Sequence, residues 1–381
     1  MKQAKKKKKI LWQQYVGKAV IILIGVICGV VTSSYFNEFI PGIPFYKRFT
    51  VLLVGVCLAF LFNIIMHEIG HLVFGLLTGY RFSSFRIGSF MWMNEGGKLK
   101  FKRLKIAGTG GQCLMIPPDM KDGKIPLALF NLGGSFANII VGVLFLVGQY
   151  FCSGMEILSS FLFIFALVAF ISAVINGVPM RLGVIDNDGY NAFALSKNKE
   201  AIEAFSLQLK VVEQNSKGIR LKDMPAEWFA VPTDEAMKNS MVATRGVFVC
   251  NRLMDEEKFE EADLLMKHLL EIESGIVGLH RNLLVCDRMY VELIRGSRRE
   301  VIESMMTVEQ TKFMNAMKRF PSVLRTQYTL ALLADRDTVK AEKIMIEFEK
   351  VAKNYPYPQD IESERDLMRI AESKTDAKIH I

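Results

Sequence analysis

Closely spaced cysteines are missing from this chain. Its six, Cys28, Cys57, Cys113, Cys152, Cys250 and Cys286, include no pair at metal-ligand or redox spacing. That excludes thiolate metal knuckles and local dithiol chemistry. Those in or beside apolar runs pack as small hydrophobes. The two in the C-terminal half stand far apart, as suits a reducing compartment. Histidine is also scarce: of five, only His67 and His71 precede residue 200. Base-stacking aromatic patterns are lacking, so the net charge of +9 does not point to nucleic acid. No small-residue cleavage site follows the first apolar stretch, which is too long for a signal-peptide core.

What is present is segregated. Hydrophobic residues make up 51% of the 381, and most of their long runs fall between residues 10 and 190. Residues 195–381 read as charged, soluble helix. A membrane span needs about 20 mostly apolar residues. Four segments qualify: 16–36, 50–79, 126–151 and 156–180. Lysines in residues 1–9 place the N-terminus in the cytoplasm by the positive-inside rule. Four crossings return the chain to that side, where the basic segment 80–125 also belongs.

Between the second and third spans, Phe82, Phe85, Ile87 and Phe90 precede Asn94-Glu95-Gly96-Gly97. Lys98-Leu99-Lys100-Phe101-Lys102 then alternates with period two. Two short runs about a glycine turn predict a β-hairpin over 82–106. Its edge could pair with an extended peptide along residues 85–90. A basic hairpin reads equally as a loop facing solvent or lipid headgroups. Gly108-Thr109-Gly110-Gly111 and Pro117-Pro118 carry turn signals and predict a loop.

In the C-terminal half, helical stretches of 12–20 residues alternate with breaks. The segments opening at Phe259 and Thr338 share a pattern resembling tetratricopeptide hairpins. Their separation of 79 residues is no multiple of 34, so an irregular helical bundle stays open. The expected architecture is an all-α polytopic membrane domain with a small β-hairpin insertion, then an α-helical, tetratricopeptide-like soluble domain. The boundaries are a basic N-terminus at 1–15, the membrane domain at 16–195 and the helical domain at 196–381.

His67-Glu68-Ile69-Gly70-His71 carries the chemistry. Helix positions i and i+4 share a face, so both imidazoles can bind one ion. A glutamate beside them can serve as general base. Ionisable groups at bilayer depth are costly and functional by default, and three fall here within five residues. A catalytic zinc site takes three protein ligands and leaves one position open. No other histidine precedes residue 200, which leaves carboxylates. Asp186 and Asp188, in Ile185-Asp186-Asn187-Asp188-Gly189, follow the fourth span on the cytoplasmic side. Alone, that stretch reads as a turn. Glu156, the glutamate of the later spans, belongs at the outer end.

With Gly134-Ser135-Phe136-Ala137-Asn138, Asn176-Gly177-Val178-Pro179 and Asp188-Gly189, the chain over 50–195 resembles the site-2 protease family of intramembrane metalloproteases. The resemblance implies zinc ligation by His67, His71 and Asp188, with Glu68 as base. It implies that Asn138 and Asn176 hold the substrate backbone or orient the site. The eight residues between Pro179 and Asp188 exceed the usual family spacing and keep Asp186 as a rival ligand. There is no room for the PDZ-type insert of some members. The implied setting is a bacterial cell membrane with both termini cytoplasmic. The implied substrate is a membrane protein or signal-peptide remnant, with a cytoplasmic regulator on the C-terminal domain. The alternative is a membrane-anchored scaffold with a vestigial zinc site.

Overall fold

The computed structural model describes residues 29–30, 34, 44–106, 109–118, 125–180, 186–196, 198–296 and 298–377. Residues 1–15, and all but three positions of the span expected at 16–36, lie outside them. Contacts divide the chain into two units, residues 1–82 with 110–197 and residues 83–109 with 198–381.

The first unit is built on three helices long and apolar enough to cross a membrane: α1 (Phe45–Leu77), α2 (Leu127–Phe151) and α3 (Glu156–Gly177). They coincide with the second, third and fourth expected spans. All three pack against one another. Leu53, Leu58, Phe60 and Leu61 of α1 are exposed, as on a helix whose solvent is lipid. Small residues set the α1–α2 crossing. A Cβ on Gly133 would lie 2.8 Å from the Gly70 carbonyl oxygen, and one on Gly70 would collide with the Gly133 carbonyl. The two backbones therefore touch at Gly70, within the turn that carries His67 and His71. Pro179 stops the chain just past α3. A short helix, α4 (Asp188–Ser196), packs on α2 and α3.

The predicted hairpin is larger than expected. Strands β1 (Arg81–Ile87), β2 (Phe90–Glu95) and β3 (Lys98–Arg103) form an antiparallel meander, with Phe85 opposite Trp92 and Trp92 opposite Phe101. A fourth strand, β4 (Gly111–Ile116), begins inside the stretch whose glycines predict a loop. The sheet order is β3-β2-β1-β4. Residues 84–87 pair with β2, and β3 and β4 are the outermost strands in this order. In the first unit β4 packs along α1.

In the second unit, β1–β3 fold together with the C-terminal helices, although the sequence places the hairpin in the membrane half. The reason is its period-two pattern. Met91 and Met93, each 1% exposed, enter one core with Leu324, Tyr328, Phe348, Tyr355 and Met368. The Arg103 amide donates to the Asn354 carbonyl at 2.9 Å. The helices run in order α5 (Lys199–Ser216), α6 (Ser240–Asp255), α7 (Phe259–Glu271), α8 (Gly278–Arg295), α9 (Arg299–Met305), α10 (Val308–Ala316), α11 (Pro321–Thr329), α12 (Thr338–Ala352) and α13 (Pro358–Ala377). Consecutive pairs α6–α7, α7–α8 and α11–α12 pack together. Between α11 and α12 the backbone takes a π turn at Leu330–Ala334. Arg325, 1% exposed, lies at the centre, paired with Asp287 and Glu364 and set over the Tyr290 ring.

Candidate metal centre

His67 and His71 fall one helical turn apart near the C-terminal end of α1, 8% and 7% exposed. Their Nε2 atoms are 3.1 Å apart. Asp188, the first residue of α4, brings Oδ2 to 2.9 Å from His67 Nε2 and 3.3 Å from His71 Nε2. Among the described residues, these three form the one group of His, Cys, Asp and Glu donors close enough to hold an ion together. Asp186, though 8% exposed, is outside the cluster.

The donor set fits a zinc ion. Ligand atoms at about 2.0–2.1 Å in a tetrahedron stand about 3.3 Å from one another, and the observed separations are close to that. The outer ring nitrogens fit as well. His71 Nδ1 lies 2.8 Å from the Phe130 carbonyl oxygen, so it carries the proton and leaves Nε2 as the donor. His67 Nδ1 lies 3.3 Å from the Asn138 amide, whose Oδ1 is buried without a partner. Turned so that Oδ1 faces the ring, that amide accepts the Nδ1 proton and fixes the same tautomer. Burial alone would raise the Asp188 carboxyl, but the His71 and His67 rings beside it hold it well below the ordinary carboxylate range.

Glu68 is 7% exposed and faces β4. A Cβ on Gly111 would stand 2.5 Å from its Oε1, so the carboxylate lies against bare backbone. Asn176 donates to Ser172 O at 3.0 Å, so this bond stays within its own helix rather than reaching the histidine pair.

The position that sequence reasoning passed over is Asn187. Its Oδ1 accepts from Met180 N at 3.0 Å and Tyr190 N at 2.9 Å. Its Nδ2 donates to the Ile175 and Val178 carbonyls, both at 2.6 Å. One side chain thus caps α4 and satisfies the Ile175 and Val178 carbonyls at the end of α3, immediately before Asp188. The turn signal in Asp-Asn-Asp-Gly was its only trace in the sequence.

Comparison with known families bears on this arrangement directly. Residues 55–218 match the family model of peptidase family M50. The match runs from within α1 to just past α5 and takes in all three donors, Glu68 and Asn138. It is consistent with an M50-type protease, the site-2 protease family, and so with an intramembrane metalloprotease. M50 peptidases are in general zinc enzymes, and the His-His-Asp cluster is the feature of this chain that answers to that metal. No curated protein and no solved structure matched.

Proposed function

We propose that this protein is a zinc metallopeptidase that hydrolyses a peptide bond in or beside a membrane-spanning segment of another protein or a signal-peptide remnant. The observation that carries the reading is the convergence of His67, His71 and Asp188 at the donor spacing of a single tetrahedral ion, with Glu68 next to them in sequence.

When bound, zinc supplies Lewis-acid polarisation of the scissile carbonyl and lowers the pKa of an attacking water. His67, His71 and Asp188 would hold it, with the two imidazoles oriented from behind by Phe130 and Asn138. Glu68 takes the proton from the water and returns it to the leaving amine. Packing against Gly111 keeps the Glu68 carboxylate from swinging away.

A helical substrate offers no free carbonyl, so it must be extended before cleavage. Strand β4 is an edge of the sheet, and its first residue touches Glu68. A substrate strand added to that edge would pass the base with its backbone hydrogen-bonded. The basic N-terminus and basic segment 80–125 support cytoplasmic termini, with the helical C-terminal region serving a regulator or the substrate. Replacing Glu68 with Gln tests the reading: zinc should stay bound while cleavage of a membrane-protein substrate is lost. Undiminished cleavage by the Glu68→Gln protein would refute it.

A further inference from the structure

The β1–β3 meander has two faces of opposite character. One is consumed by the second unit: Arg86 is 0% exposed, and Met91 and Met93 are core residues. The other is apolar and uncovered. Phe90, Trp92, Leu99 and Phe101 are 45%, 36%, 65% and 52% exposed. Strand register puts Phe85 and Ile87 on the same side. The rings form one patch, with Trp92 5.8 Å from Phe101 and 6.4 Å from Phe85, and Phe90 stacked 6.0 Å from Phe101.

A contiguous aromatic face is a binding surface. Two features say what covers it. Between Arg81 and Lys105 the chain has seven basic residues and one acidic one. Arg103 alternates onto the aromatic face, exposed, with its guanidinium 5.2 Å from the Phe90 ring centre, and exposed Lys105 follows just beyond the strand; Lys98 and Lys100, opposite Glu95 and Met93, stand on the other face. Moreover, three residues separate Leu77, the end of a candidate span, from Arg81. At about 3.3–3.6 Å per residue, that link cannot carry β1 far from a membrane face. Aromatic rings seated at headgroup level beside Arg and Lys are the arrangement that binds an anionic bilayer surface.

We infer that the Phe90–Trp92–Phe101 face docks on anionic lipid, and that the meander thereby pins the C-terminal helical unit to the bilayer. One face enters the lipid interface while the other is built into the helical core. The inference requires α1–α3 to span a membrane; it does not require peptidase activity.

The test uses the full chain with Trp12→Phe and Trp228→Phe, leaving Trp92 as the only tryptophan, in nanodiscs of defined lipid. In phosphatidylglycerol-containing discs, chain-brominated lipid should cut Trp92 emission about twofold or more, while aqueous iodide has little effect. Replacing Arg103 and Lys105 with Gln should weaken the bromine quenching, as should pure phosphatidylcholine. Iodide quenching without bromine quenching would mean a face in water and overturn the inference. Protection from both would mean a covering protein, and overturn it too. Bromine quenching indifferent to headgroup charge would overturn the anionic assignment. Peptidase activity does not enter the readout, so failure of the proposed function and failure of this inference are separable.

Discussion

A Cβ on Gly134 would fall 2.5 Å from Cε1 of His67. The second helix therefore supplies the wall against which this ring is held, and only a residue without a side chain leaves room for it. Gly134→Ala should tilt His67 out of register with Asp188. Zinc affinity should fall by about 10-fold or more, as when the support of a metal-binding histidine is lost. Competition against a chromophoric chelator measures it. Unchanged affinity would show that His67 does not need this wall.

Asn187→Ala removes four hydrogen bonds and leaves the Ile175 and Val178 carbonyls without that partner. At about 1 kcal/mol per bond, a loss of several kcal/mol of local stability is expected. Amide exchange should rise across residues 186–191, and zinc affinity should fall with it. Exchange that stays at the parent rate would place the order of this segment elsewhere.

Arg325 is paired with two carboxylates, buried Asp287 and half-buried Glu364. Arg325→Met strands both, and breaking a buried pair in this way costs about 3–5 kcal/mol. Denaturant unfolding followed by Trp228 emission reports on this unit. The triple replacement with Asp287→Asn and Glu364→Gln should recover much of the loss, because no uncompensated charge remains.

Burial, with Glu364 and Asp255 nearby, pushes the Asp360 carboxyl up to about 7. The folded chain then holds a proton that the unfolded chain releases between pH of about 4 and 7. Stability from this group is therefore greatest near pH of about 4, falls as pH rises through that window and is level above it. Asp360→Asn should remove the slope, matching the parent at the acid end of the window and exceeding it above the alkaline end. Unfolding midpoints of both proteins across that range check the sign.

Much of the site was legible because its chemistry is local. His67 and His71 share a face through helix geometry alone, and apolar context made them conspicuous. Asp188 needed the third dimension: it stands 121 residues beyond His67 in the chain, yet its Oδ2 lies 2.9 Å from that ring. The fold was less legible where strands were short. Gly111–Ile116 pairs in a sheet although its leading glycines read as a loop, because packing along α1 outweighs weak local preference. The destination of the hairpin was hidden for the same reason. Alternation reveals that Met91 and Met93 share a face, but not that Tyr328 and Phe348 would cover it.

The most direct measurement is zinc content of the purified full chain beside Asp188→Ala and Asp186→Ala. The parent and Asp186→Ala should each hold about one zinc ion per chain, and Asp188→Ala should lose it with all cleavage. Retention of stoichiometric zinc by Asp188→Ala, or its loss from Asp186→Ala alone, would contradict the site.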